Sequence, residues 1–185
     1  MSKEVYRPRK DSFLLKEVME EQDLEGKEVL DMGTGSGILA LSAAGRGAET
    51  TAVDVNPEAL EVIEEKAEER GLEVRVLESD LFDGVEDEFD LIVFNPPYVP
   101  GSEEGLEGEE AWNGGEDGRK ITDRFVEQVG NYLKEGGKVL MVQSSRNDPE
   151  ETLEAFTEKG MEAQIVRREK LHFEELVVVE ASRSV

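Results

Sequence analysis

The chain has 185 residues, 37% of them hydrophobic, which suits one domain (1–185) with a single core. Asp and Glu number 45 against 21 Lys and Arg, giving a formal net charge of −24, a balance that argues against direct, stable binding to nucleic acid, where phosphate neutralisation supplies much of the affinity. There is no cysteine and one histidine, His172, which excludes disulfides and thiolate metal sites and leaves too few ligands for a histidine-based metal centre.

No stretch approaches the roughly 18 continuous apolar residues of a membrane span. Met1 to Lys10 is polar and mixed in charge, unlike a signal peptide, so a cytoplasmic protein is expected. The acidity also fits a salt-loving (halophilic) host, because molar salt screens such fields within a few ångströms.

In chain order, "KDSFLLKEVMEE" reads as a helix with Asp11 or Ser12 at its N-cap. "EVLDM" (Glu28–Met32) reads as a strand, followed by a helix over Gly37–Gly47 that ends on glycine. Thr50–Val55 is a second strand, and Pro57 sits at the first turn of a helix running to Arg70 whose glutamates form a solvated face. Glu73–Asp80 is a third strand; Phe89–Asn95 is a fourth, with the continuous apolar core of a parallel sheet. A long loop rich in Gly and Glu, Gly101–Gly118, is expected to be functional or mobile. "KITDRFVEQVGNYLKEGG" reads as one helix with a glycine stop, then "KVLMVQS" as a strand, "PEETLEAFTEKG" as a helix, and "MEAQIVRRE" and "ELVVVEAS" as two strands. The order predicts an α/β fold: a mostly parallel seven-stranded sheet with helices on both faces and an antiparallel C-terminal hairpin at one edge. His172 falls in the hairpin connection.

"DMGTGSG" (Asp31–Gly37) lies between the first strand and its helix. Gly33, Gly35 and Gly37 let backbone approach a ligand, and the helix start supplies oriented N–H groups. Ile38 breaks the dinucleotide fingerprint and no Gly-Lys-Ser/Thr follows, so pyrophosphate is disfavoured. Asp31 would repel phosphate and attract an ammonium group; Asp54, ending the second strand, can take both ribose hydroxyls; Asp80, ending the third, can accept from the exocyclic amine of adenine. Together these three groups describe S-adenosylmethionine, the alternative being that the three acids are only turn formers or caps. After the fourth strand, "NPPY" (Asn95, Pro96, Pro97, Tyr98) ends the ladder with two prolines and forms a stiff hook carrying an amide and a phenol.

"DMGTGSG", "VDVN", "SDLF" and "NPPY", in that order, resemble a Rossmann-like class I S-adenosylmethionine-dependent methyltransferase acting on planar nitrogens. "VYRPRKDSFLL" (Val5–Leu15) and "AWNGGEDGR" (Ala111–Arg119) narrow the resemblance to the short HemK-like release-factor glutamine methyltransferases of archaea and eukaryotes. That resemblance implies methyl transfer to the side-chain amide (N5) of the glutamine in the Gly-Gly-Gln loop of a translation release factor. It also implies a segment, residues 1–27, that covers the cofactor, with Ser12 bonding the cofactor's amino-acid end, Leu81 contacting adenine and Asn95 counted among the cofactor-binding residues as well. Asn95 Oδ1 and the Pro96 carbonyl are expected to accept the two substrate N–H groups, Pro97 to stiffen the hook and the Tyr98 ring to face the amide. A small zinc-ribbon activator subunit is implied, pairing in a heterodimer with an edge strand near Val74–Leu77. Trp112 reads as an anchor of the long loop, and Arg119 as either a substrate clamp or an exposed helix-start residue. Alternatives are adenine-N6 methylation of DNA or RNA, lysine methylation, or a cofactor-binding scaffold subunit.

Overall fold

The computed structural model describes residues 8–97 and 118–183. Their strands are β1 (Glu28–Met32), β2 (Glu49–Asp54), β3 (Val74–Glu78), β4 (Phe89–Phe94), β5 (Leu133–Ser144), β6 (Met161–Lys170) and β7 (Glu175–Arg183). They form one sheet in the order β3-β2-β1-β4-β5-β7-β6. The first five pair in parallel, while β7 lies antiparallel between β5 and β6. The predicted parallel sheet and C-terminal hairpin are both present, and β3 is an edge strand that pairs only with β2 among the described residues.

The helices are α1 (Lys10–Glu20), α2 (Ile38–Ala44), α3 (Pro57–Arg70), α4 (Lys120–Val129) and α5 (Pro149–Glu158). Because successive strand residues face opposite ways, the central strands feed two cores. Val29, Leu91, Val93, Leu140 and Val142 pack with Leu14, Leu15, Val18 and Met19 of α1. Their neighbours Leu30, Ile92, Phe94, Val139 and Met141 pack with Phe125 and Val126 of α4 and Phe156 of α5. In α3 the Asn56 side chain caps the Glu58 N–H, Pro57 opens the helix and Gly71 closes it in the left-handed region. Its buried residues are Ala59, Leu60, Ile63 and Ala67, which leaves the glutamates outside as expected.

Two local expectations are corrected. The run Lys120–Gly137 is not one helix: α4 stops at Val129, a 3-10 turn covers Gly130–Tyr132, and Leu133 already pairs with Phe89 as the start of β5. Gly136 (φ +73) and Gly137 resemble a helix stop in sequence but serve an irregularity in the β4–β5 ladder. A Cβ on Gly137 would lie 2.9 Å from the carbonyl oxygens of both Lys134 and Phe89. At α1 the N-cap is Arg9, without a side-chain cap bond; Asp11 and Ser12 sit inside the first turn, both buried. No helix among the described residues is long and apolar enough to cross a membrane.

Candidate functional site

The carboxyl ends of β1, β2 and β3 converge on one cleft, lined by Gly33, Asp54, Asp80, Leu81, Phe94 and Pro97 among others. Five predicted site residues therefore share a single concavity. A larger groove bounded by Glu28, Glu49, Val74 and Asp87 lies at the opposite, amino-terminal edge of the strands and contains none of them.

Asp31, only 1% exposed, organises the glycine loop. Its Oδ2 accepts from Thr34 Oγ1 at 2.7 Å and from the Ala40 backbone N–H at 3.0 Å. Its Oδ1 is buried and has no partner. Burial pushes its pKa from 3.8 to about 7; the bonds from Thr34 and Ala40 oppose this and the nearby Asp54 carboxylate adds to it. Gly37 is the left-handed N-cap of α2, and a Cβ there would come within 2.6 Å of Ile63 Cγ1.

The raised pKa has a sign that experiment can read. Between pH 3.8 and about 7 the folded chain holds a proton that the unfolded chain has released, so this group lowers stability as pH rises through that window and no further above it. Asp31→Asn removes the effect. The melting-temperature gain of this variant over the wild type grows from about pH 5 to about pH 7 and then levels, reaching several degrees. A difference constant across that range would contradict the assignment.

Asp54 is also buried and ties the glycine loop to the start of α3: Oδ2 accepts from Gly35 N at 2.8 Å and Oδ1 from the N-cap Asn56 N at 2.9 Å. Asp80 stands at the exposed rim and forms a two-pronged pair with Arg124 of α4, at 3.0 and 3.3 Å. Beside it Leu81 takes a left-handed conformation (φ +50), unusual for a residue with a side chain. Ser79 Oγ stabilises that turn by donating to the Leu81 carbonyl at 3.0 Å and accepting from Gly84 N at 2.8 Å. Sequence reasoning missed Ser79 and Arg124, and a hydroxyl and a surface arginine give no local signal of these roles.

The hook leaves β4 at Asn95. Asn95 Nδ2 donates to Ser12 Oγ at 3.2 Å, and Ser12 donates through both Oγ (3.3 Å) and its backbone N–H (2.6 Å) to Asp11 Oδ1. The buried Asp11–Ser12 pair thus fixes the Asn95 amide with its nitrogen toward α1. Asn95 Oδ1 is buried and has no hydrogen-bond partner. Tyr98, Trp112 and loop residues 101–117 lie outside the described residues.

Arg119 is neither an exposed helix-start residue nor an available clamp, being 4% exposed. Its Nη1 donates to the carbonyls of Asn147 (2.5 Å) and Asp148 (2.8 Å) and to Thr152 Oγ1 (3.1 Å). Asp123 and Glu151 flank it at 2.9 and 3.3 Å. It locks the start of α4 to the turn that leads from β5 into α5.

A doubly wound sheet with a glycine loop after β1, acids ending β1 and β2 and just past β3, and an Asn-Pro-Pro exit from β4 is the frame of a class I methyltransferase. The profile of the Methyltransferase small domain family matches residues 9–171, and the chain belongs to that family. It is 41% identical over 184 residues to a Methanocaldococcus jannaschii protein provisionally named a protein N5-glutamine methyltransferase, covering 97% of this chain and 92% of that one. It is 34% identical over 194 residues to human methyltransferase HEMK2, covering 98% and 91%. Among solved structures it is similar to a chain of the E. cuniculi Mtq2–Trm112 complex, described as responsible for methylating the translation termination factor eRF1. That match has a TM-score of 0.80 at 27% identity, over 98% of this chain and 100% of the other.

Proposed function

We propose that this chain is an S-adenosylmethionine-dependent methyltransferase that modifies the side-chain amide nitrogen (N5) of the glutamine in the Gly-Gly-Gln loop of a translation release factor. The observation that carries this reading is Asn95 Oδ1: buried, unpartnered, and held in orientation by Ser12 and Asp11. Such an oxygen is an acceptor waiting for an N–H donor. The cofactor fits the cleft in kind, since the unpartnered Asp31 oxygen suits an ammonium group while Asp54, Asp80 and Leu81 line the place for a nucleoside. When bound, S-adenosylmethionine supplies a methyl group already activated by its sulfonium.

The chain's own task is to position a weak nucleophile, because an amide lone pair is delocalised. Asn95 Oδ1 and the Pro96 carbonyl accept the two N–H groups of the carboxamide and fix its plane. Pro97 holds the hook stiff. The nitrogen becomes acidic once it gains a methyl group, so its proton leaves to water and no base is needed beforehand. Ser12, reaching Asn95 from α1, supports the view that the first 27 residues cover the reacting end of the site.

The edge position of β3 supports a heterodimer in which a small zinc-ribbon activator pairs with Val74–Leu77. The acidity suits a high-salt cytoplasm. The test is transfer of radiolabelled methyl to a purified archaeal-type release factor, with and without a co-expressed zinc-ribbon subunit, at low and molar salt. Label appears on the factor and is absent from its Gln→Ala loop variant, and its yield rises with the partner. Label on adenine-containing nucleic acid instead would overturn the glutamine assignment.

A further inference from the structure

A carboxamide brings two N–H groups and one carbonyl into a site. Within the described part of the hook, Asn95 Oδ1 and the Pro96 carbonyl answer the N–H groups, one N–H of Asn95 Nδ2 is engaged with Ser12 Oγ, and Pro96 and Pro97 have no N–H to offer. A carbonyl shut away from water without a donor loses on the order of 1–3 kcal/mol, so a site built for an amide needs a donor from a neighbouring element.

Strand β5 supplies a candidate. Phe94, the last residue of β4, pairs with Met141; two residues further on stand Pro96, past the end of β4, and Gln143, still within β5. Gln143 is on the face of β5 that carries Val139 and Met141, is 1% exposed, and has no hydrogen-bond partner on either Nε2 or Oε1. It pairs with Val177 of β7. An aliphatic residue there would avoid two buried unsatisfied groups, so the amide lowers stability unless something else uses it.

We infer that Gln143, through its side-chain N–H, receives the carbonyl oxygen of the substrate carboxamide. This rests on the glutamine reading above and deepens it into a basis for specificity. A carboxamide has an acceptor beside its NH2 group; a lysine ammonium has none and would leave the Gln143 N–H groups unpartnered.

The test compares wild type, Gln143→Leu and Gln143→Met in methyl transfer to the release factor, alongside cofactor affinity and thermal melting. Both variants lower kcat/KM by about 10- to 100-fold, the loss of one buried hydrogen bond. Cofactor Kd stays within about two-fold, and melting temperature is unchanged or raised because two orphaned groups are gone. Wild-type kcat/KM in either folded variant overturns the inference. So does a loss that tracks a lowered melting temperature or weakened cofactor binding, which would make the amide part of the fold or the seat of a buried water. Should both variants fail to fold, the Gln143 side-chain NH2 resonances of the wild type decide: they shift on adding release factor, and unchanged resonances overturn the assignment. Absence of label in the wild-type reaction removes the glutamine reading itself and is seen before any variant is made.

Discussion

Asn95→Ala lowers kcat roughly a thousandfold, in the range expected when a preorganised polar contact at a reacting centre is removed, and leaves cofactor affinity within a few-fold. In the proposed reaction the side chain would accept from substrate; in the structure it donates to Ser12, while the cleft that would hold the nucleoside is lined by other residues. Ser12→Ala produces a smaller loss of the same kind, about tenfold, because the Asn95 amide keeps its acceptor but is free to rotate. Single-turnover rates and equilibrium binding, measured separately, check both. Unchanged turnover in Asn95→Ala would refute the role given to the hook.

Arg119→Ala has the largest expected effect on stability. Removing the guanidinium strips the donor from two carbonyls and one hydroxyl packed beside it. Its two carboxylate neighbours are more than half exposed and lose little. The net loss is about 3 kcal/mol, or a fall of roughly 6–12 °C in melting temperature for a chain of this length. Arg119→Lys recovers only part of it, since an ammonium cannot reproduce the guanidinium fork. Activity falls further than the folded fraction explains, because α4 also carries Ile121, which lines the cleft, and Arg124, which holds Asp80.

The glycine loop and the acids that follow β1, β2 and β3 were legible in the sequence because their logic is local: strand, glycine turn, helix, repeated with an acid at each strand end. The mostly parallel sheet and its C-terminal hairpin followed from the alternation of elements. What escaped was carried by distance along the chain. Ser12 reads as a cap or a cofactor contact, yet it meets Asn95 from 83 positions away. Arg124 and Asp80 are 44 apart, and the partners of Arg119 at Asn147 and Thr152 are 28 and 33 away. The paired glycines at 136 and 137 misled because a helix stop and a strand irregularity both select for a missing side chain.

The placement of β7 between β5 and β6 bears on how the chain is made. β7 comes last in chain order, yet both its faces are buried and it contributes Val177 and Val179 to one core and Leu176 and Val178 to the other. Until it emerges, β5 presents an unpaired edge and β6 has no strand to pair with. Its pairing with β5 spans residues some 32 to 44 positions apart, a shorter reach than the 62 positions between partners on β1 and β4, so its lateness is set by its place in the chain and not by the cost of loop closure. During synthesis the half of the sheet made by β5, β6 and β7 therefore stays open and prone to self-association until β7 is in place.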